Sequence, residues 1–479
     1  MMAIPIGDLL TISRAMVKRD SCTARDLWLK QAWDAYEGNM EKPLEVYPEL
    51  NHKNQQRNID DNVLLDFAAM VVDEGVNALI GKGVQIGVNP IEAVEGEESP
   101  DISPAELAWN KIAQANQFDL LLHKTAISGS VTGHVYWKLL PSSSITGGYP
   151  RIVNWDTANV ITLTNPDDKD EVWEYQHQWI STDDEGKSFD RLERICRVQS
   201  EDIDEHWQIL NYRSDTGKQK WELIDSVDWT GTFGPILDIQ NLPDPRNYYG
   251  VSDLKPTILD LAHAINRIAS IINRVARLNG FPRMYGVAVT PEQLKSVSGL
   301  PSDRVFAFPN EQARLEYLEL QASIQQLIEV YDKWVSAFHA QSKVPEIVTG
   351  KIDKLGPLSG LAMQILYAPI EMKTFLKRLT YGILIKEAVR RLLILSELPV
   401  NTEDLKVDLH WSSIVPRNIK EEAESNLLKQ DIGVSTDTLL EEMGYDAEEE
   451  SQKREIEKAN NPPAPNPFDR MIPPTSNAV

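Results

Sequence analysis

Cysteine is close to absent. Cys22 and Cys196 are the two thiols of a 479-residue chain, far apart and outside any CxxC, which argues against a disulfide framework and a cysteine-built zinc site. Long apolar runs are missing too. The best candidate, residues 383–395, is broken by Lys386, Glu387, Arg390 and Arg391 and falls short of the roughly 18 apolar residues of a membrane span, so no membrane crossing is expected. The start, MMAIPIGDLLTISRAMVKRD, lacks the basic region, apolar core and cleavage site of a secretory signal, and synthesis in a cytoplasm is the expectation. Positive charge is scarce: 48 Lys and Arg stand against 72 Asp and Glu, a net charge of -24. Affinity for nucleic acid comes mainly from cations that replace counterions on phosphates, so this balance argues against a protein that wraps DNA. It is compatible with a conduit whose acidic wall repels a moving duplex.

Catalytic signatures are equally sparse. There is no HExxH, no GxSxG and no GxGxxG after a strand. Residues 75–83 approach a phosphate-binding loop, but the glycines are one residue too far apart and no Ser or Thr follows the lysine, so a helix ending at a glycine is expected. Ser128-Gly129-Ser130 and Gly147-Gly148 read as turns. The eight histidines are scattered without the i, i+4 pairing of metal ligands on one helical face. Two acidic pieces, 167–170 and 201–205, offer oxygens that suit Mg²⁺ or Ca²⁺. Neither completes a calcium-loop pattern, and charged turns are usually solvated. Neither a catalytic site nor a cofactor is expected.

What is present is the composition of a folding globular chain, 42% hydrophobic and 25% charged, long enough for more than one structural region. Residues 26–35 and 59–80 repeat apolar positions with a helical period. Ser103, Pro104 and Glu106 form a cap and first turn for a helix to about Asn116, and 120–129 reads as helical again. From 131 to about 237 the pattern switches to aromatic and branched runs such as VYWKLL, VWEYQHQW and HWQILNY, separated by turn residues, which predicts an antiparallel sheet.

The middle of the chain is the most informative. Over 252–279, Leu254, Ile258, Leu261, Ala262, Ile265, Ile268, Ala269, Ile272, Val275 and Ala276 share one stripe. Asp260, His263, Arg267, Ser270, Arg274 and Arg277 share the opposite face. This is a helix on the order of 40 Å long, ended by Gly280 and Pro282. A compact insert follows, with strands at 284–289, 304–308 and 314–320 and a short helix opened by Thr290 and Pro291. A second amphipathic helix returns over 323–341. After a loop rich in Gly, Pro and Lys at 343–360, a longer helix is predicted over 361–395, kinked at Pro369. A strand at 406–411, an acidic helical segment at 418–460 interrupted by Gly433, Ser435 and Gly444, and a proline-rich tail at 462–479 complete the chain.

These residues resemble a family, the phage portal proteins, and in particular the portals of long-tailed phages of Gram-positive bacteria. The approach to the first long helix, Asn241-Leu242-Pro243-Asp244-Pro245-Arg246-Asn247-Tyr248-Tyr249-Gly250-Val251-Ser252-Asp253-Leu254, is similar to the Asn, Pro, Gly and Ser-Asp punctuation that precedes the stem in that family. Ser342-Lys343-Val344-Pro345-Glu346 and Ser359-Gly360-Leu361-Ala362-Met363 resemble the turn and helix start around the tunnel loop, and Trp411, Pro416 and residues 432–436 resemble punctuation further on. The resemblance implies an α+β, mainly helical portal fold with long stem helices, an antiparallel β-rich wing, a small α/β clip and a helical crown. Carried onto this chain, 1–241 and 361–431 are wing, 242–280 and 322–343 the stem helices, 281–321 the clip, 344–360 the tunnel loop, 432–461 the crown and 462–479 a disordered tail.

The resemblance further implies a homo-oligomeric ring, usually of twelve subunits, at one capsid vertex of the virion. Double-stranded DNA would pass through it without sequence readout, and its partners would be the terminase, the major capsid and scaffolding proteins and a head-tail adaptor. Candidate channel residues are Arg267, Arg274 and Arg277 on the first long helix and Lys343, Lys351 and Lys354 around the loop, which could touch phosphates in turn. The plainer reading of the arginines is pairing with acids of a neighbouring helix or subunit. Two other functions compete. One is a metal-dependent nuclease using Asp202 and Asp204, and the other a ring-forming scaffold without DNA passage.

Overall fold

The computed structural model describes residues 20–50, 56–81, 83–90, 103–200, 203–215, 221–229, 231–280, 283–290, 292, 310–318, 324–349, 360–396, 405–415, 428–430, 432–436, 438–439 and 453. The chain divides into two compact units, Met1–Gly356 with Leu366–Ile414, and Pro357–Ile365 with Val415–Val479.

Apolar periodicity builds the first helices. In α1 (Asp20–Tyr36) Leu29, Ala32 and Ala35 are buried, and in α2 (Phe67–Ile80) Ala68, Val71, Val72, Val76 and Leu79 form the inward face. Between them lies the hairpin of β1 (Tyr47–Leu50) and β2 (Gln56–Ile59). Helix α2 runs through Gly75 and stops at Gly81, so residues 75–83 are a helix and its end. Helix α3 (Pro104–Asn116) begins as the sequence predicts: Ser103 Oγ accepts a hydrogen bond from Glu106 N at 3.1 Å, and proline occupies the first turn where no donor is needed.

Helix α4 (Phe118–Thr132) departs from the prediction, because it continues straight through Ser128-Gly129-Ser130, which the sequence assigns to a turn. A Cβ on Gly129 would stand 2.1 Å from Tyr381 Oη, so glycine serves here to admit a tyrosine from another helix.

The strand-rich region forms two antiparallel sheets. One has three strands in the order β11–β4–β5, with β4 at His134–Leu140, β5 at Arg151–Trp155 and β11 at Ile236–Gln240. The other is a five-stranded meander: β6 (Val160–Thr164), β7 (Val172–Thr182), β8 (Ser188–Ser200), β9 (Ile203–Asp215) and β10 (Glu222–Asp228). Tyr136 and Trp155 of the first sheet pack with Val160, Tyr175, Ile195 and Ile209 of the second in one core. Lys138 Nζ bonds Glu193 Oε1 between the two sheets, and on the other face of the five-stranded sheet, beside Leu192, Cys196 and Leu210, Arg194 grips Glu174 through two bonds of 2.6 and 2.8 Å with both side chains buried. The bidentate pair gives the buried carboxylate a counter-charge and uses the guanidinium's Nε and Nη2, leaving Nη1 buried without a partner.

Two long helices follow. Helix α5 (Pro256–Gly280) and helix α6 (Ile324–Ser342) pack together, and between them β12 (Arg283–Val287) pairs antiparallel with β13 (Arg314–Leu318). The strand expected at 304–308 lies outside the described residues. Helix α7 (Gly360–Leu395) carries Pro369 inside it. Strand β14 (Leu405–Trp411) then crosses back to pair with β3 (Val84–Pro90), from Leu405 opposite Pro90 to Trp411 opposite Val84.

In the second unit a short helical turn is capped by Ser435, whose Oγ accepts from Thr438 N at 3.2 Å. Gly433 stands before it at φ +98 and Leu439 is buried. The tail at 462–479 lies outside the described residues. The fold class is mixed α+β, with long helices and antiparallel sheets.

Candidate functional site

The segment that punctuates the approach to α5 is a buried joint. Gly133 ends α4 at φ +85, and its Cβ, if it had one, would lie 2.8 Å from Gly250 O and 2.9 Å from Ser252 N. Two backbones therefore cross at van der Waals distance, which glycine at both 133 and 250 permits. Polar side chains close the crossing. Asn241 N donates to Gly133 O at 2.9 Å, Asn241 Nδ2 reaches Val251 O, and Ser252 Oγ lies 2.9 and 2.7 Å from Ser130 O and Val131 O. Asp253 N donates to Ser130 O at 2.9 Å.

Asp253 is the centre of this joint. Its carboxylate is buried and faces two lysines of α7: Lys373 Nζ lies 3.2 Å from Oδ1 and Lys377 Nζ 2.5 Å from Oδ2. Burial alone would raise the carboxyl pKa, but the two ammonium groups outweigh it and hold Asp253 below its ordinary value. Burial dominates at Lys377 and lowers it to about 8, against the attraction of Asp253. Lys377 also donates to Ser130 Oγ at 2.8 Å, while Lys373 donates to Ser342 O at 3.2 Å, at the end of α6. One cluster thus ties the start of α5, the end of α6, the end of α4 and the middle of α7. The sequence reading missed it. The available signal was that Lys373 and Lys377 sit one turn apart in register with Ile370, Tyr381, Leu384 and Ala388, all buried.

Nearby, Asp238 accepts bonds from Tyr175 Oη at 2.6 Å, from Tyr248 Oη and from His134 Nε2 at 3.0 Å. Burial would raise Asp238, yet these donors keep it below the usual carboxylate value. Tyr248 belongs to the same punctuating segment, so the approach to α5 is held to the strands as well.

Further along α5, the polar face is divided between groups held within the subunit and groups left exposed. Residues 61–65 run beside it without a strand partner, and α5 satisfies their backbone: Leu65 N donates to Asn266 Oδ1 and Val63 N to Ser270 Oγ, both at 2.9 Å. Asn273 Nδ2 donates to Asp61 O at 3.0 Å. Arg274 Nε bonds Asp61 Oδ2 at 3.0 Å and Arg277 Nε bonds Asp61 Oδ1 at 2.6 Å, with Tyr47 Oη against the Arg277 guanidinium. The Arg277 bond, opposed by burial and aided by Arg274, holds the Asp61 carboxyl below its usual range. Ser270 is therefore buried, and Arg274 and Arg277 are occupied within the subunit.

Arg267 is exposed and pairs with no acid among the described residues, and Lys343 is exposed at φ +59. Lys351 and Lys354 lie outside the described residues.

The two helices change character along their length. Toward the joint, Ile258, Ala262 and Ile265 of α5 and Val335 and Phe338 of α6 are buried. Away from it, Ile328, Val330 and Trp334 of α6 are each more than a third exposed, as are Tyr285 and Val287 of β12. An apolar surface of this kind on a helical hairpin is incomplete without a partner.

For the nuclease alternative, Asp202 lies outside the described residues, as does the side chain of Asp204. Among the described residues no cluster of three or more His, Cys, Asp or Glu could hold a metal ion.

Residues 245–463, just under half of the chain, match the family model described as phage portal protein, SPP1 Gp6-like. The match bears out the resemblance to phage portal proteins and covers the helical hairpin, its tip, the whole of α7 and β14. No curated protein sequence matches the chain. Among solved structures, a chain from the neck of a native GTA particle computed with C12 symmetry is similar at a TM-score of 0.46 and 11% identity, over 79% of this chain and 89% of that one.

Proposed function

We propose that this chain is a phage portal subunit: copies assemble into a ring at one capsid vertex, through which the genome is packaged and ejected and to which the tail connects. The observation that carries this reading is the α5–α6 hairpin, which lies inside the matched residues and leaves Ile328 on one side of α6 and Val330 with Trp334 on another uncovered in the single subunit. Stacking copies around an axis places a neighbour on either side of the hairpin and would cover both.

In this reading α5 and α6 are the stem, and the β12–β13 tip belongs to the clip, which meets the terminase motor during packaging and a head-tail adaptor afterwards. Residues 1–241 and 361–431 form the wing, which meets capsid and scaffolding proteins, 432–461 the crown, and 344–360 the tunnel loop. The acidic bulk, with its charge of -24, keeps a passing duplex from adhering. Phosphate contact falls to Lys343, Lys351, Lys354 and Arg267. Arg274 and Arg277 contribute less, because Asp61 takes their donors. The protein acts in the virion after synthesis in the host cytoplasm, and its role is passage and docking rather than catalysis.

Electron microscopy of the purified full-length chain tests the reading. Rings of about twelve copies with a channel near duplex width are expected, and a protein that stays monomeric at high concentration would contradict it.

A further inference from the structure

Between Ile370 and Tyr381, both buried, the inward face of helix α7 turns polar while its outward face is apolar. Its inward face carries Lys373, Thr374 and Lys377, which are 6%, 1% and 0% exposed. Its outward face carries Met372, Phe375, Leu376, Leu379 and Ile383, at 63%, 54%, 39%, 52% and 66%. An isolated surface helix shows the opposite arrangement, charge outward and apolar residues inward. The inward polarity is accounted for by Asp253, Ser130 Oγ and Ser342 O. Nothing among the described residues accounts for the outward row.

We infer that the outward row of α7 is a contact surface for a second copy of this chain, the neighbour in the ring, an inference that rests on the portal reading. Three observations favour this occupant. The first is position. Lys373 and Lys377 fasten this stretch of α7 to the end of α6 and the start of α5, so the row is held at the base of the hairpin that stacks in the ring.

The second observation is charge. Two chains of net charge -24 repel, so close contact between them needs surface free of acids, and no carboxylate occurs from Met372 to Lys386. One turn beyond Ile383 on the same face, Lys386 is exposed and would attract an acidic neighbour. A phosphate backbone would instead need cations within the row, and it has none. Lys373 and Lys377 point inward, and Arg378 is turned onto Ala78 O and Ser412 O.

The third observation is size. Five large side chains, each uncovered by about half, offer on the order of 400 Å². That is near the limit for one apolar patch on a monomer and about half of what one partner brings to a standard interface. The hairpin surface supplies the rest.

The test is cysteine accessibility in the full-length protein. In a Cys22→Ser background, Leu379→Cys is labelled with a maleimide in dissociated subunits and in assembled rings. Ile145→Cys, at a site 72% exposed on a loop, serves as the reference position. Labelling at 379 is expected to fall at least tenfold on assembly while labelling at 145 stays within twofold. Phe375→Glu is expected to keep the circular dichroism and melting temperature of the subunit and to lose ring formation. Equal labelling of 379 in rings and subunits overturns the inference, since another partner or solvent then faces the row. Protection already present in the dissociated subunit overturns it too, because the chain then covers its own helix. If the parent chain forms no rings at all, the portal reading itself fails, and this inference with it.

Discussion

The two ends of the α5–α6 hairpin are finished in different ways. At the joint, at the start of α5, the ions are buried within the subunit, Asp253 between Lys373 and Lys377; further along α5, Asn266 and Ser270 satisfy a bare stretch of backbone and Asp61 takes the part-exposed Arg274 and Arg277 of the last turns. At the far end apolar side chains are exposed, with Ile328, Val330 and Trp334 facing outward. Buried polar groups fix geometry, because each donor has one acceptor, whereas apolar surface fixes only a need for cover. The joint is therefore complete within one chain, and the far end is completed by assembly.

Asp253→Ala breaks this comparison most severely. It leaves two buried ammonium groups without a counter-charge, so a loss of about 3–5 kcal/mol is expected by denaturant unfolding of the subunit. A loss below about 1 kcal/mol would mean that the joint does not depend on its ions.

Asp61→Ala is expected to cost about 2 kcal/mol, since it removes charge-assisted bonds from two arginines that solvent can partly rescue.

Lys377 supplies a pH test. Its pKa is about 8 in the fold against 10.5 in the unfolded chain, so above pH 8 the unfolded chain holds more protons and stability rises with pH. The gain is at most about 1.4 kcal/mol per unit. Urea unfolding at pH 8 and 9.5 should show this rise in the parent and not in Lys377→Met. Identical pH dependence in both would remove Lys377 from the account.

At the other end, Ile328→Asp is expected to change subunit stability by no more than about 0.5 kcal/mol, as at other exposed positions, while abolishing rings in the microscope. Ile265→Asp sharpens the contrast. Ile265 is fully buried inside the subunit, so a charge there should unfold the chain rather than merely prevent assembly.

The smallest structural effect belongs to Lys351→Ala with Lys354→Ala: rings should form normally, and only DNA packaging or retention should change. Unchanged packaging in a reconstituted system would remove the loop lysines from the channel.

Much of this was legible in advance. The spacing of Leu254, Ile258, Ala262 and Ile265 placed α5 to within a few residues at its start, and Ser103 with Pro104 placed the start of α3. Strand patterning anticipated the antiparallel sheets. The punctuation from Asn241 to Asp253 carried the resemblance, and the structure supplies its physical reason, since Asn241, Gly250, Ser252 and Asp253 make the crossing with α4 and the tie to α7. Illegible were the partners. Arg274 and Arg277 left two readings open, phosphate contact or pairing with an acid, because nothing local in the sequence brings Asp61, more than two hundred residues earlier, against them. Gly129 read as a turn because its reason for being glycine is a tyrosine on a helix far along the chain.

The sequence by itself determined the elements, because helix and strand periods, caps and breakers act over a few residues and are written where they act. Only the tertiary structure decided which face of α7 is inside, which acid each lysine meets, and that β3 and β14 are neighbours. Those outcomes depend on contacts between segments hundreds of residues apart, where burial gives a lone charge no choice but to find its opposite.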